Sequence, residues 1–469
     1  MGIDDGGGVT DLRHRPGSPG FRALNVAMAL VGLAAFGLLY ATQPLLPRLS
    51  ERFAVDATTA SLSLSVTTGA LALLVVPATW LGRRIGRRRA MLGGLGLAVV
   101  LSLASAAAPT FPVLLVLRAA TGAALAAVVG VAMGHVAAET HPAALASAMG
   151  FYVAGNSVGG VTGRLLSSVV VDVASWRWAL AAVGVLGLAA AVLFWRLLPP
   201  GVAATAPPAR AAGPARRRPS LALATLLLLP LLLMGGFVAT YNFLTYRLTA
   251  TPFDVSDSVV GAVFLTYLAG TAASAIAGRA ADRHGRPPVL LVSIGLMAAG
   301  LLLTLPAWLP TVVLGLLVFT AGFFGAHSTA SGWAPVVGAD RPATAGALYV
   351  FAYYAGSSVF GAAVGIGWRA GGWGLTVAVI EAMIALAAAA TLVVALRLRP
   401  AAPAGAPGHD GAPGHVRAPG PDRAPGPDRA AGGPDGPPTP GRPAAGSRRP
   451  RPGAPGGRPA SATPARTGA

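Results

Sequence analysis

Arg83-Arg84-Ile85-Gly86-Arg87-Arg88 and Asp282-Arg283-His284-Gly285-Arg286-Pro287 each end one hydrophobic run and begin the next, about 200 residues apart. A second pair stands at nearly the same offset: Gly155-Asn156-Ser157-Val158-Gly159-Gly160 against Gly356-Ser357-Ser358-Val359-Phe360-Gly361. Two motifs repeated in order at one spacing describe a chain built from two copies of one unit. Each copy is hydrophobic and interrupted by short basic loops, so the unit belongs in a membrane. Duplicated membrane units with a binding site between them are a common plan for secondary transporters.

Composition agrees. Hydrophobic residues make up 54% of the 469 residues and charged residues only 11%, whereas a soluble domain carries roughly a quarter charged residues. The apolar runs are about 20 residues long, enough to span the ~30 Å hydrocarbon core as helices. The formal net charge is +19 and all the basic residues are Arg, with no Lys. These arginines sit between apolar runs rather than on one soluble face, so they read as topology determinants and not as a nucleic-acid surface. The absence of Cys removes disulfide and thiolate chemistry. The absence of Lys removes the phosphate loop of ATP-driven transport. No nucleophile–base pair or metal cluster points to an enzyme, and no cofactor is implied.

Reading the apolar runs against Gly, Pro and charge predicts an all-α membrane protein of twelve transmembrane helices in two pseudo-symmetric six-helix halves. The expected spans are 23–46, 57–81, 90–108, 112–136, 145–167 and 177–198, then 220–246, 258–280, 288–306, 311–336, 343–366 and 373–396. Residues 1–21 read as a disordered arm rather than a cleaved leader. Residues 22–198 and 220–398 are the halves, and 199–219 the linker. Residues 399–469, rich in Pro, Gly, Ala and Arg with APGPDR twice, read as a disordered tail.

Arginine placement orients the spans. With both termini in the cytoplasm, Arg83, Arg84, Arg87, Arg88, Arg89, Arg210, Arg216, Arg217, Arg218, Arg279, Arg283 and Arg286 lie inside. The outer loops then keep Arg48, Arg52, Arg177, Arg247 and Arg369. The expected location is a bacterial plasma (inner) membrane.

The second basic loop, with Gly278, Asp282, Arg283, Gly285 and Arg286, resembles the signature loop of the major facilitator superfamily. Its glycine suits a tight turn, and its acid can bond a helix start or pair with an arginine across the halves. The first loop keeps Gly86, Arg87 and Arg88 but has Arg83 at the acidic position and Thr79 at the first glycine. The resemblance implies a gating charge network, which this first copy lacks in part.

The fourth span carries Arg118-Ala119-Ala120-Thr121-Gly122, similar to the family's Arg-x-x-Gln-Gly motif. An isolated arginine in hydrocarbon costs ~3 kcal/mol on insertion scales, so Arg118 is expected to face the interior, or to snorkel from about six residues inside the span. In the family this arginine is linked to proton transfer. The fifth span has Gly155, Asn156, Gly159 and Gly160, then Arg164. It resembles the glycine-rich motif of drug:proton exporters, with Asn156 in place of a proline. Small residues allow close helix approach, and the expected neighbour is a helix of the other half. Arg164 needs a partner that the sequence does not name.

Glu381 is the one carboxylate well inside a span and the proton-coupling candidate by elimination, beside a purely structural role. The resemblance places the cavity between spans 1, 4, 7 and 10. Tyr40 and Gln43 end the first span; Tyr241, Asn242 and Tyr246 lie in the seventh; His327 lies in the tenth. These are the substrate-binding candidates, though Tyr also collects at membrane interfaces.

Taken together, these motifs resemble the twelve-helix drug:proton antiporter branch, with arabinose-efflux-permease-like exporters the nearest group. That implies proton-coupled efflux of a small organic molecule by alternating access, by a monomer whose partners are lipid, solute and protons. A proton symporter or uniporter for a small metabolite keeps the fold, and a non-transporting membrane sensor or scaffold is the third reading.

Overall fold

The computed structural model describes residues 13–199, 201 and 220–398. The expected linker and tail therefore lie, apart from a few residues, outside the described part. Fourteen α-helices among the described residues account for the twelve spans, because two spans are assembled with a short helix at one end. The first span is α1 (Pro19–Tyr40) followed by α2 (Leu46–Phe53). The second to sixth are α3 (Ala57–Ile85), α4 (Arg87–Ala106), α5 (Phe111–Glu139), α6 (Leu145–Val173) and α7 (Trp176–Leu197). The seventh is α8 (Leu221–Thr249), and the eighth is α9 (Asp257–Val263) with α10 (Tyr267–His284). Then come α11 (Arg286–Leu302), α12 (Leu309–Val337), α13 (Pro342–Ala363) and α14 (Gly365–Arg397).

Nine helical segments among the described residues combine the length and apolarity needed to cross a membrane. The exceptions are α11, which is short, and α6 and α13, whose Gly, Ser and Tyr dilute the hydropathy. Those two helices are the ones that carry the second repeated motif. Val116, Trp178, Val185 and Val292 are among the large apolar side chains left exposed, as a lipid-facing surface requires.

The repeated loops are one-residue turns. α3 ends at Ile85 and α4 begins at Arg87, with Gly86 between them at φ 93, ψ 132. α10 ends at His284 and α11 begins at Arg286, with Gly285 at φ 83, ψ 159. That region of backbone space is essentially reserved for glycine, so the expected tight turn is present in both copies. Gly371 and Gly372 break α14 near its start, separating a short lead-in from the twelfth span.

Two expectations are revised. Within the segment 1–21 expected to be disordered, His14 is bridged to Thr140: its N–H donates to Glu139 O at 2.8 Å and its carbonyl accepts from His141 N–H at 3.0 Å. α1 then starts at Pro19, with the Ser18 side chain capping Phe21 N–H. The glycine face of α6 also packs on α1 of its own half, not on the other half. A Cβ on Gly155 or Gly159 would overlap the backbone of Ala29 or Leu33, and one on Gly163 would come within 2.6 Å of Gly37 Cα. The second copy does the same work, since a Cβ on Gly356 of α13 would overlap the Leu231 carbonyl of α8.

The halves meet mainly through α3 with α13 and α6 with α9. Along α3 the contact covers its first part. A Cβ on Gly365 would come within 2.8 Å of Phe243 and 2.9 Å of Thr58 Cβ, Ser358 Oγ donates to Ser65 O at 2.7 Å, and Gly69 faces Ser358. Beyond that point Leu73, Val76, Trp80 and Leu81 of α3 are exposed, as are Phe151 of α6 and Ile276 of α10. The bundle is therefore joined at the end away from α1's N-terminus and parted at the other.

Candidate transport site

Each site group is held where a helix ends or where two small-residue faces meet. α1 stops at Tyr40, and its last carbonyls are taken by Arg118 of α5, which donates to Leu38 O at 3.0 Å and Leu39 O at 2.6 Å. A cation at a helix C-terminus satisfies orphan carbonyls and opposes the helix dipole. Two other arginines at this end of the bundle work the same way. Arg177 donates to Ala108 O beyond α4. Arg247 donates to Thr304 O, Leu305 O and Pro306 O beyond α11. Arg118 is fully buried and its Nε has no partner.

With α1 fixed, Tyr40 and Gln43 meet Arg164 of α6. Arg164 Nε donates to Gln43 Oε1 at 2.7 Å, and its Nη1 donates to Gly160 O at 2.7 Å. The guanidinium lies 4.1 Å from the Tyr40 ring centroid, 5.0 Å from Phe264 and 4.9 Å from Tyr267, within cation–π range. Gln43 Nε2 donates to Asn242 Oδ1 at 2.9 Å, and Asn242 Nδ2 donates to Gly361 O at 3.0 Å. Arg164, Gln43, Asn242 and Gly361 thus form one buried polar chain from α6 across to α8 and α13. Gln43 is the partner of Arg164 that the sequence left unnamed.

Around this chain the halves are pinned. Arg48 Nη2 donates to Asp257 Oδ2 at 2.7 Å, Tyr246 OH donates to Leu46 O at 2.9 Å, and Tyr246 OH lies 2.7 Å from Ser50 Oγ. Arg369 Nη1 donates to Asp56 Oδ2 at 3.0 Å. Asp56 also caps α3 through Thr59 N–H; that bond, with Arg369 alongside, holds its carboxyl below the usual carboxylate range.

The remaining candidates separate. Tyr241 is buried inside the second half, 2.7 Å from both Thr266 Oγ1 and Thr320 Oγ1, beside a Phe237–Phe323 stack of 3.9 Å. His327 Nδ1 lies 2.9 Å from Tyr349 OH, and its ring stands 4.8 Å from that of Tyr353. Tyr353 also stands edge-on to Tyr354, ring centroids 5.1 Å apart. Glu381 Oε1 is buried with no hydrogen-bond partner, and no bond joins it to Arg118 or Arg164. Asp282, Arg283 and Arg286 make no hydrogen bond or ion pair among the described residues, and Arg87 lies beside Gly134 of α5. Arg83 likewise has no such partner, and Asn156 Oδ1 is buried and unpartnered against Gly32. A cavity of about 300 Å³ lined by Val259, Val263, Leu265, Thr266, Leu309 and Val313 holds none of the predicted residues.

Sequence reading missed Asp257, Phe264, Tyr267 and Tyr353. The adjacent Tyr353-Tyr354 pair in a span of low hydropathy was the available signal for the last of these.

Two helical halves joined at one end around a buried polar site define a membrane transporter. The Major Facilitator Superfamily model matches residues 28–361, and the chain belongs to that family. It is 40% identical over 383 residues to the inner membrane transport protein YnfM of Escherichia coli (strain K12), covering 79% of this chain and 90% of that one. It is 38% identical over 380 residues to the uncharacterized MFS-type transporter YybF of Bacillus subtilis (strain 168), covering 80% and 93%. Among solved structures, a bacterial homolog of the human lysosomal transporter Spinster, in an inward-facing and occupied conformation, superposes with a TM-score of 0.63. That match has 15% identity, covers 81% of this chain and 97% of the other, and shows the shared fold. The chain is thus a multi-pass membrane transporter and not an enzyme.

Proposed function

We propose that this transporter exports a small organic solute across a bacterial inner membrane in exchange for protons, by alternating access around the Arg164–Gln43–Asn242 site. The observation that carries the reading is the asymmetry of the interface between the halves. Cross-half bonds gather at the end away from α1's N-terminus, while among the described residues the opposite basic loops have none. With the termini cytoplasmic, as the arginine distribution favours, this is an inward-facing state ready to load from the cytoplasm. The resemblance to the drug:proton antiporter branch supports exchange and outward flux. Glu381, with a buried and unpartnered oxygen, is the group assigned to carry the proton. A ligand drives the cycle only through unequal affinity for the two states, so solute and proton must favour opposite conformations or compete.

The test uses purified protein in liposomes holding a pH-sensitive dye under an imposed proton gradient, with a panel of small organic solutes. Solute-triggered proton release that disappears in Glu381→Gln is the expected result. Solute flux with a silent dye would replace exchange by uniport.

A further inference from the structure

We propose that the solute is an organic anion, whose carboxylate or phosphate is received by the free edge of the Arg164 guanidinium while its apolar body lies against the surrounding rings. This inference rests on the reading of that cluster as the transport site. A guanidinium has two faces and five N–H donors. At Arg164 the faces are covered by Tyr40, Phe264 and Tyr267. Nε–H goes to Gln43 and one Nη1–H to Gly160 O. The other Nη1–H and both Nη2–H groups donate to no acceptor among the described residues, which leaves Nη2 and the second Nη1–H to receive a carboxylate or phosphate.

The charge balance points the same way. Arg118 and Arg164 are both buried, and among the described residues neither has an acidic partner. The buried acid near this end, Asp257, is already paired with Arg48. The first half therefore carries buried positive charge with no acidic partner among the described residues, which repels cations and is neutralised by an anion. The rings of Tyr40 and Tyr267 supply flat, weakly polar surface for the rest of the molecule.

Thermal unfolding of the purified full chain in detergent would be followed with matched probes: benzoate and phenyl phosphate against benzamide and benzyl alcohol, at equal ionic strength. The acids should stabilise the protein and bind at least about tenfold more tightly than their neutral partners. The preference should weaken in Arg164→Lys and vanish in Arg164→Gln. The wild-type comparison stands even if the Gln variant does not fold. Equal or better binding of the neutral probes overturns the inference, as does failure of both acids to bind, or an acid preference that survives Arg164→Gln. Counterflow of radiolabelled benzoate in liposomes separates the two readings. Acids that bind through Arg164 but never move, with no other solute carried, sink the transport reading and leave the anion site. A neutral solute carried while no acid binds does the reverse.

Discussion

The two halves share a backbone plan and differ in the chemistry hung on it. In the first, glycines seat α6 on α1 and the interior holds two buried arginines, Arg118 and Arg164. In the second, glycines seat α13 on α8 in the same way, but the interior is largely aromatic, with Phe237, Tyr241, Phe323 and His327, and its buried charged groups are the acids Asp257 and Glu381 rather than arginines. The features fixed by backbone contact recur in both halves, while the side chains facing the centre differ. One half contributes buried arginines, and the other contributes rings, hydroxyls and the acids Asp257 and Glu381. The Gln43–Asn242 bond joins the two sets.

The largest effect tests the shared backbone. Gly159→Ala and Gly356→Ala each force a Cβ into a neighbouring helix backbone. Overpacking against a backbone that cannot yield should cost on the order of 3 kcal/mol. Both variants should lose folded yield and monodispersity in detergent to a similar degree. A large cost in one half and none in the other would break the equivalence.

The divergent interiors come next. Gln43→Leu removes the acceptor of Arg164 Nε and the donor to Asn242, stranding a buried cation for about 2–3 kcal/mol. Tyr241→Phe loses only neutral bonds to Thr266 and Thr320, about 1 kcal/mol. The melting temperature should fall more for Gln43→Leu; equal falls would mean that the charge in the first half is not what makes it different.

The repeated turns should respond alike. Gly86 and Gly285 hold positive φ with open space where a Cβ would stand, so alanine pays in backbone strain alone, about 1–2 kcal/mol. Matching losses in thermal stability are expected, and unequal ones would show that a loop has a second role.

Most of the fold was legible because it is local. Apolar runs mark the spans, and Gly86 and Gly285 declare their turns through a backbone conformation that other residues avoid. The glycines of α6 at spacing four also define a face, but nothing in their spacing says which helix receives it, and the expected neighbour was wrong. The site was less legible because its bonds are distant in sequence. Gln43 and Arg164 are 121 positions apart, and Gln43 and Asn242 are 199. Tyr241 and Tyr246 sit on one helix, yet one is a packed interior group and the other a clamp between the halves. Residue type alone does not distinguish those faces. Arg48 was read as an outer-loop charge, and its pairing with Asp257 appears only once the halves are docked.

The smallest effect concerns the clamp on the surface. Asp56 belongs to the first half and bonds Arg369 of the second, as well as capping α3. The Thr59 N–H bond and Arg369 hold its folded-state carboxyl below the ordinary value. Stability from a depressed carboxylate is present above the unfolded value and is lost as pH falls through the folded one. The contribution should therefore be complete above about pH 4 and fade below it. Both partners are exposed, side chains 52% and 42%, so screening limits the ion pair and the cap supplies most of the effect, about 0.5–1 kcal/mol. Asp56→Asn retains capping but loses the charge, whereas Asp56→Ala loses both. If Ala lowers the melting temperature at pH 7 and Asn does not, Asp56 serves its own half. Equal losses that shrink with added salt would instead assign it to the joint between the halves.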